Sequence, residues 1–175
     1  MRVFLAIPAA EKIRERASEI TLKIKSKGIK TVKPENMHFT AKFFGEVSAD
    51  QLEEIKKKME KIKKKKATIK ISGAGTFPNE SRIKIIWLGV KDGKEDMLGI
   101  LGEVNAIFPG EKKKPVPHMT IARVRFVKNR KKLMEDLKKV GEIGKMEINE
   151  IVLYQSILKP EGPEYVPIKR VALDD

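Results

Sequence analysis

A chain of 175 residues with 41% hydrophobic side chains and a formal net charge of +14 can build a real interior and favours anionic partners. It has no cysteine, which excludes disulfides and thiolate chemistry and makes a reducing cytoplasm the expected location. No apolar run approaches the roughly 20 residues of a membrane-spanning helix, so no membrane partner is expected.

Taken in order, "RVFLAI" at 2–7 is a short apolar strand, too short for a signal peptide. Pro8 is expected to open a helix whose apolar residues are Ile13, Ala17, Ile20 and Ile24, ending at Gly28. "IKTVKPEN" reads as a loop. A strand follows over about 37–45. Strict alternation puts Met37, Phe39, Ala41 and Phe43 on a buried face, and His38, Thr40 and Lys42 on the other, with Phe44. Ser48 and Gln51 form a capping box ahead of a helix with Leu52, Ile55, Met59 and Ile62 in one stripe.

Two strands, "ATIKISGAGTF" and "RIKIIWLGV", flank the turn "PNESR". A helix over 94–107 carries Met97, Leu101 and Val104, with Phe108 in register beyond it. The basic loop "PGEKKKPVP" at 109–117 leads into a strand over about 118–126. There a regular pleat groups His118, Thr120, Ala122 and Val124, leaving Met119, Ile121, Arg123 and Arg125 opposite. A helix over 129–140 and two last strands, "KMEINEIVLYQSIL" and "EYVPIKRVAL", complete the chain. Each half has a histidine strand followed by a helix and two strands, which suits an α+β protein of two related lobes.

The two histidines are the chain's only ones, and both have threonine two places on: "HFTA" at 38–41 and "HMTI" at 118–121. On a strand, i and i+2 share a face, so each motif presents an imidazole beside a hydroxyl. With these two histidines and no cysteine, the three or four ligands usual for zinc are unfilled, and no metal is expected. No G-x-G-x-x-G, P-loop or G-x-S-x-G pattern is present.

The paired motifs, with "RVFLAIP", "NMHFTAKFFGEV" and "PHMTIARV" in order along nearly the whole chain, resemble the two-histidine (2H) phosphoesterases, in their RNA 2′,3′-cyclic phosphodiesterase branch. That resemblance implies a bilobal α+β domain over 1–175, in which two pseudo-symmetric lobes, each with an antiparallel sheet and helices, enclose a cleft. It implies metal- and cofactor-free hydrolysis of RNA 2′,3′-cyclic phosphate ends to 2′-phosphates by a monomer, tRNA fragments being one candidate substrate. His38 would be proton donor and His118 proton acceptor. Arg123, five residues after the second histidine, would hold phosphate. The family often has leucine where Ala41 stands, a place expected to affect packing and not chemistry.

The chemistry suits these side chains. Attack of water on a cyclic phosphodiester needs a base for the water, an acid for the leaving ribose oxygen and donors for the non-bridging oxygens. Histidine, with a free pKa of about 6.5, serves either of the first two roles. Thr40 and Thr120 are the expected hydroxyl donors, and Arg123 offers a planar fork. Regular alternation turns Arg123 away from His118, so reaching the cleft requires a bulge or strand end near Ala122.

Two alternatives stay open: a basic RNA-binding module whose histidines are structural, and a 2′,5′ RNA ligase-like protein running the reaction in reverse. The charge also fits a thermophile's surface, since Lys, Glu and Ile are abundant and Gln nearly absent. Phe43, Phe44 and Trp87 are expected in the core, with room for one aromatic to stack on a base.

Overall fold

A computed structural model describes residues 1–110 and 112–175; Glu111, inside the basic loop, lies outside the described residues. The elements are β1 (Arg2–Pro8), α1 (Glu11–Ile24), β2 (Ile29–Thr31), β3 (His38–Glu46), α2 (Ala49–Met59), β4 (Ala67–Pro78) and β5 (Ile83–Val90). After them come α3 (Lys94–Ile107), β6 (His118–Val124), α4 (Arg130–Lys138), β7 (Glu142–Ile148), β8 (Glu150–Lys159) and β9 (Gly162–Ala172). A 3₁₀ turn, Pro34–Asn36, precedes β3.

The strands join in the order β7-β4-β5-β6-β3-β1-β8-β9, with β2 also on β6, and the strand-to-strand pairings are antiparallel. From β6 and β3 outward, the sheet has two matching halves. They meet at one registered pair, Phe39 with Met119, so the two expected sheets are a single hydrogen-bonded one. The repeat in sequence is not the repeat in space. The strands following the first motif, β4 and β5, lie beside the second motif strand, and β8 and β9 return to β1.

One face of this sheet is buried. Leu5, Phe39, Ile86, Leu88, Met119 and Ile121 are essentially inaccessible and share one core with helix residues Ile13, Ala17, Leu52, Met97, Val104 and Leu133. Removing a side chain as large as Phe39 would cost about 3–5 kcal/mol through lost burial and the cavity left. The opposite face is therefore free to carry polar groups at the junction of β3 and β6.

The helices fall where the apolar stripes place them, and the capping box is made: Ser48 N–H donates to Gln51 Oε1 (2.8 Å) and Gln51 N–H to Ser48 Oγ (3.2 Å). Three local expectations change. Pro8 ends β1, and α1 begins three residues later, because proline's φ also suits an extended chain and its missing N–H is tolerated at a strand end. The expected loop after Gly28 contains β2, a three-residue strand supported by its pairing with β6. "KMEINEIVLYQSIL" is broken at Asn149 into β7 and β8, which lie at distant places in the sheet. No helix among the described residues is long and apolar enough to cross a membrane.

Candidate active site

The site grows from the Phe39–Met119 pair. Continuing that antiparallel register sets His38 across from Thr120 and Thr40 across from His118. Phe39 and Met119 anchor the two strands below, and the His and Thr side chains stand on the other face.

Both strands then break their alternation at the same motif place. Against β1, Thr40 pairs with Ala6 and Lys42 with Leu5, leaving Ala41 as an extra residue. Against β5, Thr120 pairs with Trp87 and Ala122 with Ile86, leaving Ile121 extra. Each bulge flips the pleat of the residues beyond it. Lys42 and Ala122 turn to the faces of buried Leu5 and Ile86, while Phe43 and Arg123 turn into the cleft. The bulge required for Arg123 is thus present. Lys42, expected beside His38, is displaced from that face. Phe43, expected in the core, is 52% exposed, with the Arg2 guanidinium 5.2 Å from its ring centre. A second shift in β3 skips Phe44, which packs edge-on against Phe108 instead of joining the cleft.

A cavity of about 500 Å³ opens on this face, and His38, Thr40, Thr120 and Arg123 all line it. His118 is not in that lining; it stands two residues before Thr120 on β6, with its ring edge-on to Phe77 at 4.9 Å and 6.3 Å from Trp87. His38 has its own aromatic setting, with Phe4 at 5.0 Å and Tyr165 edge-on at 5.4 Å. Trp87, expected in the core, is half-buried and forms the wall behind His118.

Both imidazoles are held alike. His38 Nδ1 lies 2.7 Å from the Asn36 carbonyl, and His118 Nδ1 lies 2.6 Å from the Val116 carbonyl. A carbonyl only accepts, so each Nδ1 carries the proton and each Nε2 is left for proton exchange. His38 Nε2 is 2.9 Å from Thr40 Oγ1, whose hydroxyl donates while the ring is neutral. Burial lowers His38 to about 4; the Asn36 carbonyl opposes this, and Arg123 and His118 add to the lowering through charge. Among the described residues, no group of three or more His, Cys, Asp or Glu could hold a metal ion.

Sequence reasoning misses Asn36, Phe4, Phe77 and Tyr165. For Asn36 a signal exists, since asparagine in a Pro-Glu-Asn turn two places before a histidine is well placed to present a carbonyl. The aromatic neighbours come from other strands, and no local pattern reveals them.

The profile of the family described as "LigT like Phosphoesterase" matches residues 5–87. A protein of Methanocaldococcus jannaschii named RNA 2′,3′-cyclic phosphodiesterase is 39% identical, over 97% of this chain and 99% of its own length. This chain belongs to the LigT-like phosphoesterases. A relative of the same name in Aquifex aeolicus is 33% identical over 99% of this chain and 97% of its own. Among solved structures, E. coli LigT complexed with 3′-AMP shares the fold, with a TM-score of 0.82 at 22% identity, covering 99% of this chain and 98% of that one. The profile match contains the first His-x-Thr motif, and the full-length matches extend over the second.

Proposed function

We propose that this LigT-like phosphoesterase hydrolyses RNA 2′,3′-cyclic phosphate ends to 2′-phosphates, with His38 and His118 as its acid and base. The observation that carries the reading is the matched anchoring of the two imidazoles, which leaves both Nε2 atoms for proton exchange, with His38 in a cleft that an arginine and two threonines also line. The name borne by relatives that match nearly the whole chain supports the substrate. A cysteine-free chain suits the cytoplasm, where tRNA fragments are one candidate source of such ends.

In this mechanism His118 Nε2 takes a proton as water attacks phosphorus. The new P–O bond forms while the bond to the ribose 3′-oxygen breaks, and His38 Nε2–H protonates that oxygen. Thr40, Thr120 and Arg123 donate to the non-bridging oxygens, whose charge grows in the transition state. One water is consumed, and the histidines exchange one proton to reset.

In the free protein His38 is neutral near pH 7, because burial lowers it to about 4. A proton donor must be charged. The bound phosphate supplies the missing partner: an anion against Nε2 favours the imidazolium and offsets the lowering by Arg123. Substrate binding therefore raises the His38 pKa, and the ring takes up a proton from solvent. Phe43 and Arg123 give the cleft a direction, with an apolar plate on one side and a phosphate fork on the other.

The test is turnover of a short RNA with a terminal 2′,3′-cyclic phosphate in excess EDTA, with His38→Ala and His118→Ala alongside. Expected are a 2′-phosphate product and a loss of about 10²–10⁴-fold for each substitution. A 3′-phosphate product would overturn the assignment of the leaving oxygen. RNA binding without turnover would favour a binding module.

A further inference from the structure

Asn36 is one of two buried polar or charged residues among those described, with 8% of its surface exposed. It makes two connections in different directions. Its backbone carbonyl accepts from His38 Nδ1 at 2.7 Å. Its side-chain Nδ2 donates to the Pro163 carbonyl at 2.9 Å, across 127 residues of sequence. Pro163 is the second residue of β9, the returning strand of the β8–β9 hairpin, and Tyr165, two residues further, sets its ring edge-on to His38.

The peptide bearing the Asn36 carbonyl is itself fixed. Asn36 N–H bonds to the Lys33 carbonyl (2.9 Å), Met37 N–H to the Pro34 carbonyl (3.1 Å), and Ala9 N–H to the Met37 carbonyl (3.2 Å). Among the described residues, the second histidine has no equivalent brace. Its anchor is the carbonyl of Val116, a residue 50% exposed in the loop before β6, and valine has no polar side chain to tie it elsewhere. The two halves of the cleft share the anchoring bond and differ in what holds the anchor.

We infer that Asn36 is a positioning residue: its amide locks the β8–β9 hairpin onto the turn before β3, so that one fixed carbonyl sets the tautomer and placement of His38. Without that amide, the carbonyl and Tyr165 both lose their shared tie. The ring can then turn or take the other tautomer, and its Nε2–H no longer meets the leaving oxygen in a fixed position. Because Nε2 must meet a reacting atom, an error of about 1 Å costs on the order of 10²-fold in rate.

The inference rests on the cyclic phosphodiesterase reading for its kinetic consequence, and not for its structural one. Asn36→Ala and Asn36→Asp are compared with the unmutated protein by ¹⁵N imidazole spectra and by turnover of a 2′,3′-cyclic mononucleotide, well below the melting temperature. Asn36→Asp keeps the side-chain shape but sets a carboxylate against the Pro163 carbonyl, so a folding failure of the alanine variant does not remove the test. Expected in both is a mixed His38 tautomer, with kcat reduced on the order of 10²-fold and KM little changed. An unchanged Nδ1–H tautomer with kcat within about twofold would overturn it, as would melting-temperature loss alone. If the unmutated protein turns over no cyclic phosphate, the functional reading fails, and the imidazole spectra still decide the role of Asn36.

Discussion

Phe43 and Arg123 occupy equivalent places in the two halves of one cleft. Each is the fifth residue after a motif histidine, and each follows a bulge at the fourth motif residue, Ala41 or Ile121. The bulge gives the motif its reach. A regular strand would present only the His and Thr, and with the extra residue the strand contributes a third cleft group. One copy uses that place for a cation and the other for an aromatic ring, so a site built on near-symmetry offers an asymmetric ligand two different walls.

In the proposed mechanism Arg123 holds the phosphate. Arg123→Ala should lower kcat/KM for a 2′,3′-cyclic nucleotide by about 10²–10³-fold, as expected for losing a donor to developing charge. Arg123→Lys should recover part of that, because lysine keeps the charge and loses the planar fork. Steady-state kinetics of the two variants check this. The same alanine variant should also raise the His38 pKa, since the guanidinium is among the groups lowering it.

Phosphate itself should move His38. In the free protein the imidazole titrates at about 4, far below an ordinary histidine. Adding inorganic phosphate should shift that titration upward, toward the neutral range, as an anion stabilises the charged ring. Histidine ring resonances followed against pH, with and without phosphate, show the shift. An unmoved titration would remove His38 as the proton donor.

The same lowering makes stability depend on pH. The folded pKa is below the unfolded one, so between about 6.5 and 4 the unfolded chain binds more protons than the folded chain. His38 therefore carries no penalty above about pH 6.5, and its penalty grows as pH falls, reaching about 3 kcal/mol once pH drops through the folded value near 4. His38→Asn removes this term. Denaturant unfolding at pH 7 and pH 4.5 should show a smaller acid loss in the variant than in the parent.

The candidate site's residues are legible in the sequence, and their geometry is partly hidden. The two His-x-Thr frames are visible because they need only local alternation, and the helices are visible because their apolar stripes recur at 3.6-residue spacing. Strict alternation puts Lys42 and Phe43 on the wrong faces because a bulge is defined by the partner strand: Ala41 becomes an extra residue only when β3 is laid against β1. The need for a bulge beside Arg123 can be argued only because the family resemblance gives that arginine a place in the cleft. β2 escapes notice for a related reason, since three residues carry too little pattern until β6 lies beside them. Asn36 combines both limits. Its turn is local, and its partner Pro163 is 127 residues away.

The wall behind His118 depends on a glycine. A Cβ on Gly75 would lie 2.3 Å from the Trp87 ring, far inside contact distance, while Gly75 and Trp87 face each other across β4 and β5. Trp87 in turn lies 6.3 Å from His118 and 5.1 Å from Phe77, the ring that meets His118 edge-on. Gly75→Ala must push the indole off its strand, and overpacking of this kind costs about 1–3 kcal/mol. The displaced ring should take Phe77 and His118 with it. The expected result is a lower melting temperature together with a kcat loss that persists at temperatures where the variant is fully folded, and a His118 ring resonance displaced from its parent position while that of His38 stays. Gly99→Ala is the control, since its Cβ would meet only the end of the Lys64 side chain, at 3.9 Å, and there alanine should leave both histidines and turnover unchanged.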